Sequence, residues 1–349
     1  MKSNFDINRL LRPNVAALKP YSSARDEYQS TGNSMIFLDA NENPFPTNVN
    51  RYPDPQQRRL KSRLGELKGI DPENMLLGNG SDEVLDLIFR AFCEPGKTNV
   101  ITLPPTYGMY GVLANINNVE NREVLLSSDF EPRVEEIFKV VDENSRIIFL
   151  CSPNNPTGNS FSEEKVQEIL QGFNGLVVID EAYIDFAEQE SWLKKLKEFP
   201  NLVITQTLSK AYGLAGIRLG ICYASSEIIS VLNKIKPPYN VNELTQERAS
   251  KRLNGIENVS AEITDILKER NKLFQALLET PFVGHVYKSD ANFILIKVDD
   301  ANLRYDQLLE KGIVIRNRSS QPLCSNTLRI TVGTETENSE LLKAFRDIF

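Results

Sequence analysis

Apolar positions fall into two regimes along the chain. Between residues 74 and 235, short apolar runs alternate with stretches of helical period. The runs at 74–77, 100–103, 123–126, 146–150, 176–179, 202–204 and 217–223 predict strands. Helices are expected between them, from the turn at 78–83 to about 93, and at 107–116, 132–140, 162–170 and 226–235. Ser162 is suited to cap the fourth of these. This alternation predicts an α/β fold with a large domain whose mostly parallel sheet is covered by helices on both faces. Upstream, 35–38 reads as a short strand and 57–68 as a helix. Residues 1–33 are polar, lack a period and read as an arm. The segment Lys236-Pro237-Pro238-Tyr239-Asn240 breaks the alternation. Beyond it comes a long helical stretch, 243–279, with a bend expected near Gly255. Strands at 293–298, 313–316 and 328–332 and helices at 305–311 and 339–348 follow, which predicts a smaller α+β domain. The expected division is an arm at 1–33 associated with the small domain, a large domain at 34–236 and a small domain at 237–349.

Composition works mainly by exclusion. A length of 349 residues allows two domains with a sizeable core. The net charge of −7 argues against nucleic acid as the main partner. No run of about twenty apolar residues exists to span a membrane. Residues 1–20 lack the apolar centre of a signal peptide, so a cytoplasmic protein is expected. The cysteines Cys93, Cys151, Cys222 and Cys324 are far apart and read as buried thiols in a reducing compartment. The one histidine, His285, excludes a two-histidine zinc motif, and no metal is expected. A Ser-His-Asp hydrolase would need His285 itself, and no G-x-S-x-G elbow is present. His285 falls in an expected small-domain strand and reads as structural.

Candidate chemistry gathers where strands end, which is where ligands sit on open parallel sheets. The stretch from Thr205 to Gly220 holds Lys210 among Ala211, Gly213, Ala215 and Gly216. A partly buried lysine amine becomes a nucleophile toward carbonyls. Small neighbours admit a flat ligand, and Ser209 and Arg218 suit a phosphate. Together these suggest pyridoxal phosphate held as a Schiff base. The turn Gly80-Ser81-Asp82 opens a helix whose free N–H groups could meet that phosphate. Asp180, at a strand end beside apolar neighbours, calls for a cation such as a protonated pyridine nitrogen. Tyr183 and Asn155 could reach the ring's phenolate oxygen, and Tyr107 offers a face for stacking. Taken singly, each has a plainer reading: a capped helix, a capping aspartate, a tight loop, a packing tyrosine. Tyr52, held extended before Pro53, presents its ring outward.

The set resembles the histidinol-phosphate aminotransferases, a class-II aminotransferase group within the fold-type-I pyridoxal-phosphate enzymes. The resemblance runs from Pro20-Tyr21 to Leu328-Arg329-Ile330-Thr331-Val332-Gly333. It implies that Lys210 carries the Schiff base and that Asp180 pairs with the pyridine nitrogen. It gives Tyr183 and Asn155 to the phenolate oxygen, Ser209, Arg218 and Gly80-Ser81-Asp82 to the phosphate, and Tyr107 to the ring face. Tyr52, in Arg51-Tyr52-Pro53, would cross a homodimer interface to the partner's phosphate. Tyr21, Arg316 and Arg329 would hold the substrate. Both arginines lie in or after short apolar strands, where a charge needs a partner, either an anionic substrate or a salt bridge. Arg318, in the loop after Arg316, is a basic residue beyond the family pattern. The implied reaction converts L-histidinol phosphate and 2-oxoglutarate to imidazole acetol phosphate and L-glutamate, in histidine biosynthesis. The nearest alternatives are a decarboxylase of threonine phosphate and an aminotransferase of aromatic amino acids or phosphoserine. A non-catalytic binding protein on the same fold would not need Lys210, Asp180 and Arg218 together.

Overall fold

In a computed structural model that describes residues 5–21 and 36–348, the apolar runs condense into a seven-stranded sheet. Its strands are β1 (Met75–Asn79), β2 (Asn99–Thr102), β3 (Glu120–Glu123), β4 (Ser145–Cys151), β5 (Leu176–Asp180), β6 (Leu202–Thr207) and β7 (Leu219–Tyr223). They lie in the order β1-β7-β6-β5-β4-β2-β3. β7 is antiparallel to both its neighbours, and every other neighbouring pair is parallel. Leu77, Ile148, Leu150, Val177 and Ile204 pack into one apolar layer, and Leu76, Ile147, Phe149, Val178 and Val203 into the other. Burial on both faces is why these strands read as continuous apolar runs rather than as alternating ones.

Helices α1 (Ile7–Leu10), α2 (Pro13–Ala17), α3 (Arg58–Lys68), α4 (Ser81–Phe92), α5 (Met109–Ile116), α6 (Val134–Val140), α7 (Glu163–Gly172) and α8 (Ser226–Ile235) cover this sheet. α4, α5 and α8 bury their apolar sides on one face, and α3, α6 and α7 on the other. α9 (Glu243–Asn254) and α10 (Ile256–Leu278) then lead to β8 (Val283–Val286), β9 (Phe293–Val298), α11 (Ala301–Glu310), β10 (Arg316–Asn317), β11 (Thr327–Thr331) and α12 (Glu335–Asp347). The second sheet is antiparallel throughout, in the order β10-β11-β9-β8, with its own apolar cluster around Phe282, Ile294 and Phe345. His285 sits in β8, and all four cysteines are buried and free.

Several expected elements shift, each for a physical reason. Residues 36–38 form no strand; Ile36 and Leu38 are 85% and 87% exposed. The strand expected at 123–126 lies earlier, as β3, on the sheet edge, where polar residues suffice because little of it is buried. Val124 and Leu126 still enter the core just beyond its end. The strand expected at 313–316 shrinks to Arg316–Asn317. The helix expected from 107 begins at Met109, which leaves Tyr107 in the preceding turn. α12 starts four residues early because Thr334 and Glu337 form a capping box. The long helical stretch breaks at Gly255, where Arg252 of α9 pairs with Glu262 of α10. The arm was expected on the small domain, yet Ile7, Leu10 and Val15 join the apolar layer of α4 and α8. Arg12 Nη1 anchors them by donating to the Arg90 carbonyl at 3.0 Å.

α3 carries a buried charge with a measurable consequence. Lys61 is 6% exposed. Burial, together with nearby Lys236, pushes its amine down to about 8 from 10.5. Across that interval the unfolded chain binds more protons than the folded one, so stability rises with pH there. The destabilisation is complete below it. Lys61→Met should therefore stabilise the protein at pH 7 by roughly 2–3 kcal/mol. The gain should fade toward zero at pH 10.5, as urea unfolding at both pH values would show.

Candidate active site

Because β7 runs against its neighbours, its first residue shares one sheet edge with the last residues of β1, β2, β4, β5 and β6. That edge opens onto a cavity of about 190 Å³. Ser81 and Asp82 reach it from the end of β1, Tyr107 from beyond β2, and Asn155 from beyond β4. Asp180 and Tyr183 come from β5, Ser209 and Lys210 from β6, and Arg218 from the start of β7. A larger hollow of about 580 Å³ near Glu262, Asp265 and Lys272 gathers none of the expected residues.

One end of the cavity brings Arg218 beside the N-terminus of α4. Gly80 has φ +83°, and a Cβ there would lie 2.6 Å from Arg218 Nη2. A Cβ on Gly220 would lie 2.3 Å from the Ser81 nitrogen. Glycine at both positions lets β7 carry Arg218 against the N-terminus of α4. Arg218 Nη2 is 3.5 Å from Asp82 Oδ2, and Tyr107 Oη donates to Asp82 Oδ1 at 3.1 Å. At the end of β6, Thr207 Oγ1 accepts from the Ser209 amide at 3.1 Å and lies 2.9 Å from Ser209 Oγ.

At the other end Asp180 is 3% exposed. Its Oδ2 accepts from Tyr110 Oη at 2.8 Å and its Oδ1 from the Ala182 amide at 3.2 Å. Burial raises its carboxyl pKa, and the Tyr110 bond opposes that shift. Lys210 Nζ has no hydrogen-bond or ion-pair partner among the described residues and sits 5.7 Å from the centre of the Tyr183 ring. Its side chain is open to the cavity. Even so, the surrounding protein, and then Arg329, lower its pKa.

A family model of the class I and II aminotransferases matches residues 40–345. The chain belongs to the class I and II aminotransferases. The histidinol-phosphate aminotransferases of Flavobacterium johnsoniae and Christiangramia forsetii are 66% and 64% identical to it over 345 residues. Each alignment covers 99% of both chains. The structure of histidinol-phosphate aminotransferase from Sinorhizobium meliloti in complex with pyridoxal-5'-phosphate matches with TM-score 0.79 at 25% identity. That match covers 86% of this chain and 83% of the other. The architecture is thus pyridoxal-phosphate fold type I, a large mixed sheet flanked by helices with a smaller antiparallel sheet domain.

In this aminotransferase the small sheet reaches Asn155, a residue of the cavity wall, through Arg329. Its Nη1 donates to Asn155 Oδ1, which leaves the Asn155 amide donors free among the described residues. Burial, and then Arg318, lower the Arg329 pKa. Besides Gly80 and Arg329, which sit beside lining residues, three expected residues stay outside the cavity. Arg316 is exposed and faces Arg329 across the β10–β11 pair. Tyr52 is 51% exposed and stacks on Tyr239, with ring centres 4.5 Å apart. Tyr21 is exposed, and the rest of its motif, 22–25, lies outside the described residues. Tyr110 was not foreseen. It lies three residues after Tyr107, in α5, and stacks on Phe149 at 4.8 Å, so in sequence it reads as core. No helix among the described residues is long and apolar enough to cross a membrane.

Proposed function

We propose that this aminotransferase uses pyridoxal phosphate to pass the amino group of L-histidinol phosphate to 2-oxoglutarate. The products are imidazole acetol phosphate and L-glutamate, a step of histidine biosynthesis. One observation carries the reading. A lysine amine, unpartnered among the described residues, and a buried carboxylate open onto one cavity, in a chain 66% identical to a histidinol-phosphate aminotransferase.

The residues present fit the cofactor. Gly80 and Gly220 leave the space at the α4 N-terminus that side chains would fill, and Arg218 is only loosely engaged by Asp82. In this proposal Arg218, Ser81, Ser209 and the amides of Gly80 to Asp82 hold the phosphate. Asp180 holds the ring nitrogen, and a proton there would offset the burial of its carboxylate. Tyr183 and Asn155 hold the phenolate oxygen, and Tyr107 covers the ring. Bound there, pyridoxal phosphate supplies a sink for the electrons of a bond broken at the substrate's Cα. Lys210 would hold the cofactor through its amine, and its free Nζ would be placed to take a proton from the substrate's Cα and return it as an acid. A lowered pKa, from burial and then Arg329, leaves more of the amine neutral and able to take that proton. Tyr110 fixes the orientation of Asp180 from behind. Arg329, Arg316 and Tyr21 are assigned to the anionic end of the substrate.

The reading includes a cytoplasmic homodimer, with Tyr52 reaching the partner's cofactor phosphate. Its exposed ring and the exposed apolar Ile36, Leu38 and Phe45 nearby in sequence support this. It also places the domain division at Lys236–Asn240, between 34–236 and 237–349, where Tyr239 has φ +59°. The test is a half-reaction. Holoenzyme mixed with histidinol phosphate alone should convert nearly all its pyridoxal absorbance to the pyridoxamine form. Threonine phosphate should release no carbon dioxide. An unchanged spectrum in the first mixture, or gas from the second, overturns the proposal.

A further inference from the structure

β10 and β11 pair Arg316 with Arg329 and Asn317 with Leu328. The Arg318 amide donates to the Thr327 carbonyl at 2.9 Å, which carries the ladder one residue further. Residues opposite each other, or two apart along a strand, share a face. Arg316, Arg318 and Arg329 therefore stand on one side of the small sheet, the side from which Arg329 reaches Asn155. The backbone pins the loop as well. Gln321 N donates to the Arg318 carbonyl at 2.9 Å, and Cys324 N to that of Gln321 at 3.2 Å.

No carboxylate among the described residues pairs with Arg316, Arg318 or Arg329. Among the described residues, the ionisable groups acting on Arg318 are Arg316, Tyr183 and Cys324, with no carboxylate. Arg329 feels Arg318, Tyr183 and Arg316. The Nε atoms of Arg318 and Arg329 and the Ser319 hydroxyl are all buried without a hydrogen-bond partner among the described residues. Like charges with buried, unused donors are unfavourable until an anion meets them.

From this we infer that Arg318 is a specificity-determining residue, the third cation that favours a phosphorylated amine over glutamate at this site. The inference rests on the transamination proposed above. The two amino donors of that reaction differ in the anion they present. A phosphate monoester carries close to two negative charges at neutral pH and three acceptor oxygens. Each carboxylate of glutamate carries one charge and two oxygens, a match for a single guanidinium fork. A third guanidinium on the same face therefore gains more from the phosphate than from a carboxylate.

The test uses Arg318→Gln and Arg318→Lys holoenzymes in separate half-reactions with histidinol phosphate and with glutamate. For Arg318→Gln, kcat/KM toward histidinol phosphate should fall about tenfold or more, chiefly through KM, with glutamate changed less than about twofold. Arg318→Lys should recover part of the loss by restoring the charge without the fork. Inorganic phosphate, used as a competitor of the glutamate half-reaction, should inhibit Arg318→Gln several-fold more weakly than the parent. This last readout does not depend on which amine the enzyme takes. If the parent ignores histidinol phosphate yet phosphate inhibition weakens, the function proposal fails and the anion role of Arg318 stands. Parallel losses with both donors, or phosphate inhibition equal to that of the parent, overturn the inference.

Discussion

Lys210→Ala should lower turnover by about four orders of magnitude, since one substitution removes both the nucleophile and the proton carrier. The fold should not notice. Among the described residues the Lys210 amine has no hydrogen-bond or ion-pair partner and is open to the cavity, so truncating it breaks no native hydrogen bond or ion pair. Urea unfolding of the cofactor-free forms should agree within about 0.5 kcal/mol, as for other substitutions away from packed groups. Turnover retained within tenfold of the parent would sink the assignment of Lys210. A matching collapse of stability would instead assign it a structural role.

Asp180→Asn should separate activity from stability in the opposite sense. Turnover should fall by roughly 10²–10³, as when a preorganised charge is removed from a reacting centre. The cofactor-free variant should nevertheless be more stable than its parent at pH 7. Burial raises the Asp180 carboxyl above its ordinary 3.8, so the ionised form burdens the folded state at neutral pH. That burden lifts as pH falls through the raised value toward 3.8, because the folded state there binds more protons than the unfolded one. Asparagine carries no such charge and still offers Tyr110 an acceptor. The stability advantage of the variant should therefore shrink on acidification. Urea unfolding of both cofactor-free proteins from pH 7 downward checks this. A variant less stable than the parent at pH 7 would mean that Asp180 is a structural carboxylate.

The central strands were legible because burial on both faces leaves an unmistakable apolar run, as in Leu176 to Ile179. β3 was not, because an edge strand with half-exposed Asn121 and Arg122 needs no such run. Ile36 and Leu38 misled for the converse reason, being apolar without being buried in this chain. At the site, residues at strand ends were readable because parallel topology forces them together. The reversal of β7 was not readable, since an apolar run carries no direction, yet that reversal brings Arg218 to the same edge. Tyr110 and the Arg329–Asn155 bond join distant parts of the chain, and no local spacing announces either.

β1 has β7 as its one strand neighbour among the described residues. On a ribosome, β1 and α4 emerge long before Leu219 does. Until then β1 has no edge to dock on, and the α4 N-terminus faces no guanidinium. A nascent chain paused ahead of β7 would hold a partial sheet without Arg218 at its edge. On the proposed reading, capture of the cofactor is thereby tied to late translation.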